Sequence, residues 1–174
     1  DLPEQIERAR EFCSLAGIPQ VEIEGVEADD AMGSIAVWAE SQGIQTYLCT
    51  SDKDLCQLVN ESIFVVNPWK ENLIIDPAKV EEIYGVKPSQ IVDMLAIMGD
   101  SSDNIPGLPG FGPKTAVSLL KEFGTLENLL AHPEQVKGEK KQEILRKEAE
   151  TARLSKKLAT IFRDIDVPKD FSIY

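Results

Sequence analysis

The sequence predicts an α/β fold, with a parallel-stranded sheet flanked by helices over residues 1–100 and an all-helical subdomain over residues 101–174. Three observations predict it. In the first hundred residues short apolar or β-branched runs alternate with segments of helical periodicity, the pattern of strands joined by helices. The interval 99–112 is dense in Gly, Pro, Asp and Ser, and everything beyond it has a helical pattern. Charge divides at the same place: residues 1–104 carry 20 Asp or Glu against 6 Lys or Arg, whereas residues 105–174 carry 10 against 12, within a net charge of −12.

Taken in order, Ile6, Ala9, Phe12, Cys13 and Ala16 recur at three- and four-residue spacing, and Gly17 follows where a helix would end, so residues 3–16 read as an amphipathic helix. Ile18 to Ile23 alternates apolar and polar residues as a short strand or extended segment. Glu27-Ala-Asp-Asp then introduces a helix over Ala31 to Ser41, closed by Gly43. Gln45 to Thr50 is short and apolar enough for a buried strand, Leu55 to Val59 is helical, and Ile63 to Val66 is a second strand. A helix is expected from Pro77 to Tyr84, and the uniformly apolar Ile91 to Met98 predicts a helix buried against its neighbours and stopped by Gly99. Beyond the loop, helices are expected over Lys114 to Phe123, over Thr125 to Leu130 with Thr125 as N-cap, and from Glu139 to about Arg163.

Length, 174 residues, allows one sizeable core or an α/β domain with a helical appendage. No apolar run approaches the roughly 20 residues of a membrane span. Cys13, Cys49 and Cys56 are odd in number and flanked by apolar residues, as expected of reduced thiols in a cytosolic core. One histidine, His132, placed as a loop residue, and the absence of Cys-x-x-Cys exclude the usual zinc ligand sets. Trp38 and Trp69 read as packing residues.

Chemistry concentrates in three acidic clusters at element junctions: Glu27, Asp29 and Asp30 before a helix, Asp52 and Asp54 after a strand, Asp100 and Asp103 after the buried helix. Each alone is explained by helix capping or by the helix dipole. Jointly they imply more, because ligand sites in open α/β sheets form beyond the carboxyl ends of strands. Two carboxylates about 5 Å apart repel by roughly 3 kcal/mol at an effective dielectric near 20, and a divalent cation would cancel that repulsion. Oxygen-only ligands favour magnesium or manganese, and two such ions can hold an in-line phosphoryl displacement. The acids alone do not separate a nuclease from a phosphatase or from a phosphate-accepting receiver domain.

Gly107-Leu-Pro-Gly-Phe-Gly-Pro-Lys-Thr-Ala is a tight turn entering a helix at Pro113. Gly110 and Gly112 would let the backbone approach a phosphate, with Lys114 and Thr115 adding charge and a hydroxyl. The alternative is an ordinary turn with Phe111 packed in the core. Lys137, Lys140, Lys141, Arg146, Lys147, Arg153, Lys156 and Lys157 follow, interleaved with glutamates, either as a solvated mixed-charge face or as a surface for a DNA backbone.

Four motifs, Gly25-Val-Glu-Ala-Asp-Asp, Thr50-Ser-Asp-Lys-Asp-Leu, Gly99-Asp-Ser-Ser-Asp-Asn-Ile-Pro-Gly and Gly110-Phe-Gly-Pro-Lys-Thr-Ala, occur in this order and together resemble the 5′-3′ exonuclease domain of bacterial DNA polymerase I, within the flap endonuclease superfamily. The resemblance thins after about residue 165. It implies a resolvase/PIN-like core followed by a helix-hairpin-helix subdomain, and two-metal hydrolysis (Mg²⁺ or Mn²⁺) of DNA near a free 5′ end, nick or flap, in primer removal and repair. It also implies that Glu27, Asp29 and Asp30 serve the first metal region, and Asp52, Asp54, Asp100 and Asp103 the second. Gly110, Phe111, Gly112, Lys114 and Thr115 would form the duplex-binding turn, with a potassium ion held by backbone carbonyls. The family's first strand, with a further metal-cluster aspartate, and its basic arch would lie before Asp1. The chain is therefore expected to be the central piece of a cytoplasmic, monomeric nuclease joined to a polymerase domain, weakly active or inactive alone, with a catalytically silent DNA-binding fragment as the alternative.

Overall fold

The computed structural model describes residues 1–173, and its sheet is small. Strands β1 (Thr46–Cys49) and β2 (Ile63–Asn67) run parallel, Thr46 opposite Ile63 and Cys49 opposite Val66. Strand β3 (Leu73–Ile75) joins the other edge of β2 antiparallel. The parallel pair agrees with the sequence pattern. The third strand was not expected: three residues are too few to show alternation, and its register is set by the preceding turn, where Glu71 and Asn72 take left-handed conformations (φ 52° and 56°).

Among the described residues eight α-helices surround the sheet and extend from it: α1 (Leu2–Leu15), α2 (Ala28–Ser41), α3 (Pro77–Tyr84), α4 (Ile91–Met98), α5 (Pro113–Phe123), α6 (Leu126–Ala131), α7 (Glu139–Lys147) and α8 (Ala149–Ala159). Local signals account for several of their ends. Asp76 caps α3 by accepting from the Lys79 amide at 2.7 Å, and Thr125 caps α6 by accepting from Asn128 at 3.2 Å. Pro113 occupies the first turn of α5, where no amide proton is needed.

Helix α4 is the hub. Ile91, Met94, Leu95, Ala96 and Ile97 are buried, and the helix packs on α5, α6 and α8. Helix α8 meets it through Ala152, Ser155 and Ala159, small residues that permit close approach, so one core runs from the sheet into the helical half. The buried Asp93 fastens the junction: its Oδ2 accepts from the Leu126 amide at 3.0 Å, and its Oδ1 pairs with Lys156 Nζ at 2.7 Å.

Several expectations fail for tertiary reasons. Helix α1 forms, but none of its residues is buried; Ile6 and Phe12 face solvent on the stripe its periodicity marked. Of the two readings of Ile18 to Ile23, a short strand or an extended segment, the strand does not form: the segment pairs with no strand. The helical stretch expected from Glu139 to Arg163 breaks at Glu148 and ends at Ala159. Leu55 to Val59 becomes a 3₁₀ turn spanning Asp54–Leu58. Of the cysteines only Cys56 is buried; Cys49 is exposed and Cys13 half-exposed, and all three are free. Trp69 is 84% exposed at the β2–β3 turn, contrary to its expected packing role, whereas Trp38 stacks on Phe171 at 4.3 Å. No helix among the described residues is long and apolar enough to cross a membrane.

Candidate functional site

The carboxyl end of β1 leads through Thr50 and Ser51 into a tight turn. The Asp52 amide donates to Thr50 Oγ1 (3.0 Å), and Asp52 Oδ1 in turn accepts from the Asp54 amide (2.9 Å). This pair of local bonds turns the chain so that Asp54 points inward, at the start of the buried 3₁₀ turn. Across from it, α2 begins at Glu27, with Asp29 and Asp30 in its first turn. Asp29 Oδ1 accepts from the Asp30 amide (2.8 Å), and Asp30 Oδ1 accepts from the Phe162 amide (2.7 Å), tying α2 to the segment that follows α8.

That segment forms the opposite wall. Gln57 is buried, donating to the Ala159 carbonyl (2.9 Å) and accepting from the Ile161 amide (3.0 Å). Gly33 of α2 lies so close that a Cβ there would stand 2.9 Å from Ile161 Cγ2 and 3.2 Å from the Phe162 carbonyl. Between the walls is a cleft of about 740 Å³ lined by Glu27, Asp29, Asp30, Asp52, Asp54 and Asp103, with Lys157 and Ile161 among its other residues.

The seventh acid, Asp100, comes from the loop after α4. Its backbone pairs with Ile105 in both directions, at 2.9 and 2.7 Å, closing the Ser101–Asn104 loop that carries Asp103. Ser102 donates to Asp100 Oδ1 from its amide (2.9 Å) and its hydroxyl (2.6 Å). Asp54, Asp100 and Asp103 each offer a carboxylate oxygen, all within 4.8 Å of one another. Six of the seven acids selected from the sequence thus line one cleft, and the seventh, Asp100, adjoins it through Asp54 and Asp103, although they are drawn from three stretches of chain.

Lys53, between Asp52 and Asp54, was not among the candidates. Its ammonium donates to Asp100 Oδ2 and lies 3.3 Å from Asp54 Oδ1. The alternation Asp-Lys-Asp was the available signal, but the partner 47 residues away was not visible in it. Burial pushes the Asp54 carboxyl up to about 6; Lys53 opposes the shift, and the charges of Asp52 and Asp100 add to it. Asp100 moves the other way, to about 2, held ionised by the bond from Lys53 and those from Ser102. Burial also raises Asp29, reinforced by Asp30 and Asp52.

The residues fit a divalent ion. Asp54 Oδ1 is buried without a well-formed hydrogen bond, faced by the Lys53 ammonium at 3.3 Å, so the oxygen is one that cations satisfy, and the donor set is all oxygen.

The glycine turn is built on close backbone packing. Gly107 has φ 61°, and a Cβ there would fall 2.2 Å from the Gly99 amide nitrogen; the Leu108 amide bonds the Ile97 carbonyl at 2.8 Å. Phe111 is 3% exposed, so its ring supports the turn from the core, in line with the packing alternative. Gly110 and Gly112 have open space around them, and Lys114 is exposed with Thr115 partly so. A second cleft of about 560 Å³ lies between this turn and the start of α7, lined by Pro109, Gly110, Phe111, Lys137, Gly138, Lys140, Lys141 and Ile144. Arg153 and Lys156, by contrast, are engaged with Glu127 and Glu150 and with Asp93.

Comparison with known proteins agrees with this geometry. Residues 1–85 match the family described as 5′-3′ exonuclease, N-terminal resolvase-like domain, and residues 86–173 match 5′-3′ exonuclease, C-terminal SAM fold. DNA polymerase I of Bacillus caldotenax is 47% identical over 170 residues, 96% of this chain and 19% of the relative. A 5′-3′ exonuclease of Aquifex aeolicus is 39% identical over 163 residues, 94% of this chain and 55% of the relative. The chain thus spans about a fifth of the polymerase relatives. Among solved structures, the T5 5′-exonuclease with bound zinc superposes with a TM-score of 0.80 at 26% identity, covering 90% of this chain and 57% of that one. With both of its halves matched and its acids gathered at one cleft, this chain belongs to the 5′-3′ exonuclease family.

Proposed function

We propose that this chain carries the metal-binding and duplex-binding parts of a 5′-3′ exonuclease and 5′-flap endonuclease, acting on DNA near a free 5′ end, nick or flap in primer removal and repair. The observation that carries the reading is the meeting of six acids at one cleft, two of which, Asp54 and Asp103, bring a carboxylate oxygen within 4.8 Å of one from the adjoining Asp100. In this reading Asp52, Asp54, Asp100 and Asp103 would hold one Mg²⁺ or Mn²⁺ ion, and Glu27, Asp29 and Asp30 would serve a second. When bound, such ions supply a hydroxide from water and neutralise charge on the phosphate under attack.

The protein's own groups hold this arrangement. The Asp54 amide and the Ser102 amide and hydroxyl orient Asp52 and Asp100, as outer-shell partners orient metal ligands. The Phe162 amide fixes Asp30 against the far wall. Gly110, Gly112, Lys114 and Thr115 would hold the duplex backbone, with Lys137, Lys140 and Lys141 adding positive charge alongside. A potassium ion held by carbonyls of the same turn belongs to this reading. So does a functional division near residue 100, acids before it and duplex contacts after.

We assign the whole protein to the bacterial cytoplasm as a monomer joined to a polymerase domain. The matched relatives named DNA polymerase I support that link.

The test is cleavage of a 5′-flap duplex in Mg²⁺ and in Mn²⁺ by the full-length parent protein, as wild type and with Asp52→Ala or Asp100→Ala. Both variants should lose at least about 10²-fold in rate, the scale of removing a group that stabilises the reacting charge. Undiminished cutting would remove these residues from the chemistry. Salt-sensitive duplex binding with no turnover in either metal would instead favour a silent DNA-binding piece.

A further inference from the structure

Among the described residues Lys53 is the one cation paired with the carboxylate triad, and the proposed chemistry assigns it no task. Its Nζ donates to Asp100 Oδ2 and stands 3.3 Å from Asp54 Oδ1, and the side chains of these two acids are only 6% and 11% exposed. These are two of the three groups whose oxygens converge within 4.8 Å. An ammonium and a divalent ion would therefore claim the same acceptors, and neither tolerates the other at contact distance.

The Lys53 stem is flexible and its side chain is 33% exposed, so a route to solvent is open while the carboxylates stay in place. We propose that Lys53 is a tethered counter-cation that holds Asp54 and Asp100 together in the metal-free cleft and withdraws when a divalent ion binds there. Metal loading is then an exchange of one cation for another. This rests on the metal reading given above and deepens it: Lys53 is a positioning residue that sets the metal concentration at which the cleft fills. The apparent dissociation constant is the intrinsic one divided by the fraction of molecules with Lys53 withdrawn, so a fraction of about one tenth weakens binding about tenfold.

The experiment is calorimetric titration of Mn²⁺ into wild type, Lys53→Met, Lys53→Arg and a control, Lys79→Met, whose ammonium pairs with Glu82 on the surface of α3. Lys53→Met should bind Mn²⁺ about tenfold more tightly, with Lys53→Arg at or below wild type and Lys79→Met unchanged. The gain should persist in about 0.5 M NaCl, which screens long-range fields but not contact competition. Melting in EDTA and then in Mn²⁺ gives a second readout: Lys53→Met should start lower than wild type and rise further. Equal or weaker Mn²⁺ affinity in Lys53→Met, or a tenfold gain in Lys53→Arg, overturns the exchange while leaving the metal reading intact. Failure of wild type to bind Mn²⁺ overturns the metal reading and the exchange with it.

Discussion

Replacing Asp54 by Asn should make the metal-free protein more stable at neutral pH, and the pH dependence of the gain carries the argument. Burial, aided by Asp52 and Asp100, lifts the Asp54 carboxyl to about 6 against the pull of Lys53. In the unfolded chain an aspartate titrates near 3.9. As pH falls the folded protein therefore takes up the proton first. The stability this group contributes is fully present below about pH 4 and is lost as pH rises through about 6. Two units correspond to about 3 kcal/mol, and screening by water in the open cleft reduces this to about 1–2 kcal/mol. An Asn cannot ionise, so the stability difference between variant and wild type should grow by that amount from pH 4 to pH 7. Asp100, held near 2, contributes in the opposite sense, its stabilisation present above about 4 and lost as pH falls through 2, and this largely cancels in the difference. Circular-dichroism melts in EDTA at unit pH steps should show the Tm difference widening by about 3–5 °C for a chain of this size. A difference that is flat, or that widens towards acid, would mean that pairing with Lys53 outweighs burial. In Mn²⁺ at pH 7 the variant should lose the rise in Tm that wild type gains.

Three further outcomes follow from other parts of the structure. Asp93→Ala removes the acceptor for both the Leu126 amide and Lys156, and should destabilise by about 2–3 kcal/mol in urea titration, because a buried amide is left unpaired. Gly107→Ala, with no room beside the Gly99 amide, should lose more than about 4 kcal/mol or fail to fold; Gly110→Ala, also at positive φ but in open space, should lose only about 1 kcal/mol by chemical denaturation. Lys140→Gln and Lys141→Gln should each weaken duplex binding irrespective of sequence and lower the salt slope by about 1, measured by fluorescence anisotropy from low to moderate salt.

The sequence by itself determined whatever depends on neighbours along the chain. Helix faces show in the spacing of Leu119, Leu120 and Phe123, the cap of α6 in Thr125, and the entry to α5 in Pro113, because each is decided within one or two turns. The acids were legible as candidates because Asp52, Asp100 and Glu27 sit where elements begin or end. Their convergence was inferred from their places at element junctions, and a cation from their repulsion, but only the tertiary structure brings Asp54 beside Asp100 and inserts Lys53 between them, since that pairing joins residues far apart in the chain. The same holds for Asp30 receiving the Phe162 amide across 132 positions, and for Asp93 bonding α6 and α8 at once. Helix α1 shows the reverse case: its periodicity made the helix, while its burial depended on a partner surface that no periodicity specifies. Propensity and capping are local energies, whereas burial, ion pairing and the shape of a cleft belong to surfaces that exist only once the chain has closed on itself.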